Sequence, residues 1–275
     1  MFKRIGIMQG RLVPPIGERI QAFPAERWRD EFSAARAAGL ASIEWIYDAG
    51  CDEVNPIASD SGLAEMRALA DEHEIEVVSV CADYFMPEPL LKGTGAARAQ
   101  RVEKLGWLFD RCEKAGIQRI VLPFVDNSKL ETDSDLDELA ALLQEMGPRA
   151  AKAGLEIHLE TSLPPTRFAL LLGKTAEPSV KVNYDSGNSA SLGFCAEEEF
   201  AAYGSAIGSV HIKDRLLHGG TVPLGQGNAD LTGFRERLEK INYEGDIILQ
   251  VARGTPGDEI QWARRNRELV EQLMR

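Results

Sequence analysis

The sequence is short of the residues that build covalent frameworks. It has four cysteines in 275 residues, Cys51, Cys81, Cys112 and Cys195, and no CxxC pair. That spacing argues against a disulfide scaffold or a thiolate zinc site, and it fits a reducing compartment. Long apolar runs are missing too, because nothing approaches the roughly 20 residues that a bilayer span needs. The start has only Ile5, Gly6, Ile7 and Met8 between Arg4 and Gln9, short of a signal-peptide core. A cytoplasmic location with no membrane partner is therefore expected. Positive charge is in deficit, 31 Lys and Arg against 43 Asp and Glu, for a net charge of −12. A phosphate backbone demands a basic surface, so no nucleic-acid partner is expected. What remains, 44% hydrophobic and 27% charged residues, has the balance of a globular protein.

No stretch reads as a linker, and residues 1–275 read as one domain. A rhythm recurs in RAAGLASIEW, EKAGIQRIVLP and AAKAGLEIHLE. Each is a helix end of small residues, then a glycine, then a β-rich run. Glycine supplies the left-handed conformation that closes a helix. Gly39, Gly116 and Gly154 mark these closures, and DEHEIEVVSVC supplies a fourth with Glu74 in the glycine's place. Eight strands are predicted, at 4–8, 42–46, 76–80, 119–123, 156–160, 180–184, 209–213 and 246–250. Helical patterns lie between them, at 25–38, 62–73, 96–115, 134–152, 165–173, 196–203, 231–240 and 257–274. In the third, Val102, Leu105, Leu108, Phe109 and Cys112 form one stripe, as packing on a sheet requires. Short apolar strands suit a parallel sheet covered on both faces. Eight βα units in one chain point to an α/β fold, a single (β/α)8 TIM barrel. An open doubly wound sheet is the alternative, but no glycine-rich dinucleotide loop follows the first strand.

Such barrels carry their active sites at the C-terminal ends of the strands. Polar residues at those ends are Gln9 and Arg11, Glu44 and Asp48, Asp83, Asp126, Glu160, Asp185, His211 and Gln250. The last four end four successive strands with two carboxylates, an imidazole and an amide. That mixed oxygen and nitrogen set suits one divalent ion, Mn, Mg, Co or Zn, without choosing among them. Such groups could instead satisfy hydrogen bonds at the barrel top. His158 lies deeper on the fifth strand and reads as a buried, hydrogen-bonded histidine. His73 reads as a surface or helix-capping residue, and His218 falls in the long loop holding Lys213, Asp214 and Arg215. Those cations are candidates for a phosphate. By type, Trp45, Tyr84, Phe85, Phe124 and Trp107 are candidate walls for an apolar sugar face, with Trp45 and Tyr84 nearest the strand ends. Gln9 reads as a hydroxyl contact and Arg11 as an anion contact, each against plain loop bracing.

The segments HLE (158–160), YDSGNSASLG (184–193), SVHIKD (209–214), VPLGQGNADL (222–231) and YEGDIILQ (243–250) resemble the xylose-isomerase-like barrel superfamily. Within it they are most similar to the branch of L-ribulose-5-phosphate 3-epimerases. The resemblance covers the second half of the chain by motif and the first half by its βα rhythm alone. It implies that Glu160, Asp185 and His211 hold one metal and that the substrate is a small sugar or sugar phosphate. It further implies a homodimer or homotetramer, as relatives often assemble so. Asn188 follows the DSG segment, and together with Glu44, Asp83, Lys213, Asp214 and Arg215 it joins the expected substrate contacts.

In that family a glutamate on the eighth strand is the fourth ligand and one of two acid/base groups. This chain has Gln250 there. An amide oxygen can bind metal but cannot shuttle a proton at neutral pH. The expected reaction is proton transfer next to a carbonyl through an enediolate, by a metal-dependent isomerase or epimerase with Glu160 as base. Single-base isomerisation is easier to draw than two-base epimerisation, unless Glu44, Asp83 or Asp126 replaces the missing carboxylate. Alternatives are a metal-assisted dehydratase or lyase, and a sugar-binding relative without turnover. Four histidines in all are too few for the superfamily's three-metal nucleases.

Overall fold

The computed structural model describes residues 2–275. Eight parallel strands close a barrel: β1 (Ile5–Met8), β2 (Ser42–Ile46), β3 (Glu76–Cys81), β4 (Arg119–Phe124), β5 (Glu156–Thr161), β6 (Val180–Asp185), β7 (Ile207–Ile212) and β10 (Ile247–Leu249). Between the last two, β8 (Asp214–Arg215) and β9 (Thr221–Val222) form a small antiparallel hairpin at the rim. The ring order is β1-β10-β7-β6-β5-β4-β3-β2. Ile5 pairs with Ile247 where the ring closes, and Val121 pairs with His158 on the far side.

The outer helices are α1 (Asp30–Ala38), α2 (Asp60–His73), α3 (Gly95–Ala115), α4 (Asp133–Lys152), α5 (Pro165–Thr175), α7 (Ala196–Tyr203), α8 (Phe234–Lys240) and α9 (Glu259–Leu273). A short α6 (Ser186–Leu192) intervenes directly after β6. The predicted stripe of α3 packs inward: Leu105, Leu108, Phe109 and Cys112 are buried, and Val102 is partly so. Gly39 and Gly116 close α1 and α3 in the left-handed conformation. Glu74 does the same for α2, at φ 54°, so the non-glycine member of the rhythm adopts glycine's geometry. One continuous apolar core runs from Ile5 to Val270, inside the barrel and between barrel and helices. At its N-terminal end, buried Asp246 is held by Arg4 and Arg119. No helix among the described residues is long and apolar enough to cross a membrane.

Candidate active site

Strand alternation sends every second side chain to the barrel interior. On β6 this pairs Asn183 with Asp185, on β7 Ser209 with His211, and on β5 His158 with Glu160. Glu160, Asp185 and His211 converge, each offering an atom within 4.8 Å of the others. His211 Nδ1 lies 3.2 Å from Glu160 Oε2 and 3.9 Å from Asp185 Oδ2. Donors that share a cation at bond lengths of about 2.0–2.2 Å stand about 3–3.5 Å apart; the Glu160–His211 spacing lies in that range and Asp185 stands somewhat farther out. The other imidazole nitrogen, Nε2, is 2.6 Å from Glu44 Oε1. This carboxylate partner orients the ring and leaves Nδ1 toward the triad. Burial would lower the His211 pKa, but the Glu44 charge and hydrogen bonds to Glu160 and Glu44 outweigh it and hold the group up at about 10.

Glu160 is held on both oxygens. Asn188 Nδ2 donates to Oε1 at 2.6 Å, and Asn183 Nδ2 donates to Oε2 at 2.9 Å. Burial would raise its pKa, but the hydrogen bond and charge of His211 keep it below the usual value. Asp185 caps α6 with Oδ1, accepting from the backbone of Gly187 and Asn188. Its Oδ2 is buried and receives no well-directed hydrogen bond; its cationic neighbour is Lys213 Nζ at 2.8 Å. The two carboxylates and the imidazole together offer the oxygen and nitrogen donors that a divalent cation takes, with the Lys213 ammonium resting on Asp185 Oδ2.

A cavity of about 500 Å³ opens at the C-terminal rim, and of the triad Glu160 lines it. Of the expected site residues, Arg11, Asp83, Glu160, Asn188, Lys213, Arg215 and Gln250 line it. The Gln250 amide oxygen accepts from Lys213 Nζ at 2.7 Å, and its Nε2 donates to Gln21 Oε1 at 3.0 Å. The ammonium thus stands between the Gln250 amide and the triad. Arg11 donates to the carbonyls of Val251 and Ile20, and Arg215 to Asn188 Oδ1 and the Gly219 carbonyl. Asp126, at the end of β4, also lines the cavity.

Four expected substrate contacts are corrected. Trp45 points outward between sheet and helices, against Phe23, Trp28 and Phe32, with its indole N–H on Asn55. Its neighbour Glu44 points inward but one layer too deep, onto His211 and Ser79. Gln9 is buried beneath the rim, its carbonyl accepting from Ile46 N. Asp214 accepts backbone N–H bonds from Gly225, Gly227 and Ala229 and so clamps its own loop. A Cβ at Gly227 would come within 2.2 Å of Asp214 Oδ1. The HxKD and GxG segments are therefore joined by a structural staple. Tyr84, Phe85, Phe124 and Trp107 also lie outside the lining, which contains no aromatic residue among the described ones. His158 is buried between Ser209 and Glu156, as expected.

Sequence reasoning missed Gln21 and Asn183. Asn183 had a signal, since it sits two residues before Asp185 on the same strand face. Gln21 had none, because the segment between β1 and α1 carries no periodic pattern.

Residues 32–273 match the model of the xylose isomerase-like TIM barrel, and the chain belongs to that family. It is 22% identical over 262 residues to a Haemophilus influenzae protein whose inferred assignment is L-ribulose-5-phosphate 3-epimerase SgbU, covering 90% of this chain and 88% of that one. Among solved structures, the fold resembles a xylose isomerase domain protein from Planctomyces limnophilus, with TM-score 0.75, 18% identity and coverage of 99% and 96%. It equally resembles D-allulose 3-epimerase from Methylomonas sp., with TM-score 0.75, 18% identity and coverage of 98% and 97%.

Proposed function

We propose that this chain is a metal-dependent isomerase or epimerase of a small sugar or sugar phosphate. The observation that carries this reading is the convergence of Glu160, Asp185 and His211 at one end of the barrel, with Glu160 reaching the wall of a cavity of about 500 Å³. The epimerase names of its relatives agree with it.

Those three residues would hold one divalent cation, which when bound polarises a ketose carbonyl and stabilises the negative charge that develops there. Glu160 is the base. Its ionised form takes the proton from the carbon next to the carbonyl, and the C–H electron pair moves toward the carbonyl oxygen. Asn183 and Asn188 fix the carboxylate during that transfer. Glu44 orients His211, and the Asp214 clamp shapes the loop that carries Lys213 and Arg215. Lys213, Arg215 and Arg11 face the substrate from the rim.

The test pairs elemental analysis with deuterium exchange. Metal-loaded protein is incubated in D2O with D-allulose, L-ribulose and L-ribulose 5-phosphate. One divalent ion per chain and deuterium next to the carbonyl are expected, with an isomer of unchanged mass apart from the label. A loaded sample that exchanges none of these ketoses refutes the reading, and loss of water from the product would favour a lyase.

A further inference from the structure

This inference rests on the proton-transfer reading above and specifies it. The end of β10 offers an amide, Gln250, so it supplies no proton. Three acids line the cavity: Asp83, Asp126 and Glu160. Glu160 belongs to the triad, and Asp126 is exposed on a short turn. Asp83 is 5% exposed and stands outside the triad, just beyond the end of β3.

Its position in the ring matters. In the closed order β1-β10-β7-β6-β5-β4-β3-β2, strands β5, β6 and β7 carry the triad. The strands directly across the barrel from them are β1, β2 and β3. Asp83 therefore stands across the ring from the His211 strand and two strands from Glu160, with which it shares the cavity.

The group is also built in. Gln21 Nε2 donates to its Oδ2 at 2.7 Å, and Cys81 Sγ to its Oδ1 at 3.1 Å. Gln21 in turn receives the Gln250 amide. Position 250 is thus tied on one side to Lys213 and, through Gln21, to Asp83. A glutamate at 250 would have no N–H to offer Gln21.

We infer that Asp83 is the second proton-transfer residue, acting on the face of the substrate carbon that Glu160 does not reach, so that the chain inverts the carbon next to a ketose carbonyl. Glu160 removes the proton from that carbon as described. Asp83 in its acid form then gives its own proton to the same carbon from the other side. A new C–H bond forms and the carbonyl is restored. Glu160 releases its proton to solvent and Asp83 takes one up, so protons and electrons balance. Burial first of all, with the Asp48 and Glu160 charges assisting against the Gln21 and Cys81 hydrogen bonds, pushes the Asp83 carboxyl up to about 7. Both forms are then present at neutral pH, as an acid/base group needs. The charged and titratable groups facing it are Arg11, Asp48, Cys81 and Glu160, with Asp126 and Lys129 on the same cavity wall.

The experiment compares inversion with exchange. Metal-loaded wild type, Asp83→Asn and Glu160→Gln are run in D2O with the same three ketoses. Asp83→Asn should lose about 100-fold or more in epimer formation while deuterium still enters unreacted substrate through Glu160. Glu160→Gln should lose both. If Asp83→Asn fails to fold, Asp83→Ala is used instead, and added formate should restore inversion. Inversion at the wild-type rate in Asp83→Asn overturns the assignment. So does parallel loss of exchange and inversion, or no recovery with formate. A wild type inert toward all three sugars refutes the underlying function instead, and Asp83 with it.

Discussion

Glu31 is a fully buried carboxyl for which the described residues provide no ion pair. Its Oε1 accepts from the backbone of Gly10 and Leu12, and its Oε2 has no partner. Burial is the dominant cause that pushes its pKa from 4.5 up to about 8, against the hydrogen bonds of Gly10 and Leu12. A folded pKa above the unfolded one means that the fold binds the proton more tightly. The stabilisation is complete below about pH 4.5, falls as pH rises, and is gone once pH passes about 8. Urea midpoints measured from pH 5 to 9 should decline over that window in the wild type, and Glu31→Gln should decline less. Equal slopes would contradict the buried, proton-binding Glu31. Trp45 offers a second test at this scale. It is wholly buried in an aromatic cluster and is not among the residues that line the cavity. Trp45→Ala should cost about 3–5 kcal/mol of stability and leave KM unchanged at a temperature where the variant is folded. A raised KM without lost stability would return Trp45 to the substrate wall.

At the scale of elements, Glu74 closes α2 at φ 54° and ψ 43°, where a side chain is strained. Its ion pair to Arg36 is exposed on both sides and worth little. Glu74→Gly should therefore raise stability by about 0.5 kcal/mol or more, after the entropy that glycine adds to the unfolded chain, read as a higher denaturant midpoint. A lower midpoint would mean that the ion pair outweighs the strain. The same βα closures made the barrel legible, because a left-handed stop followed by an apolar run is a local pattern. Strand ends were legible for the same reason, and Glu160, Asp185 and His211 came out together. Reading Glu44 and Trp45 as joint substrate contacts failed because adjacent strand residues point to opposite faces. Alternation excluded one of them, and depth along β2 excluded the other. The helix α6, SGNSASL, has no apolar periodicity; it is set by the Asp185 cap and by packing against the loop after β7. Gln21 acquires its role only when the chain between β1 and α1 folds over the rim, a long-range event with no local signature.

For the whole molecule, the triad ties three neighbouring strands, β5, β6 and β7, at one rim of a closed ring. A ligand that needs all three strands in place binds the fold and not the unfolded chain, so it stabilises by mass action. At a free cation concentration 100 times its Kd the gain is about 2.7 kcal/mol. For a chain of this size that corresponds to a rise in Tm of about 5 °C or more. The charge balance adds to it, because the chain carries −12 and a divalent ion relieves some of that repulsion where Glu44, Glu160 and Asp185 gather. Non-specific relief by salt must be separated from the site, and two variants do so. Asp185→Asn and Glu160→Gln each change the net charge only from −12 to about −11, which barely alters the general repulsion, but each weakens the triad. Wild-type Tm should rise with Mn2+ and return with a chelator, while both variants should stay flat over the same titration. A shift of equal size in all three proteins would mean that the cation acts on net charge alone, and the barrel floor would then lose its assignment as a metal site.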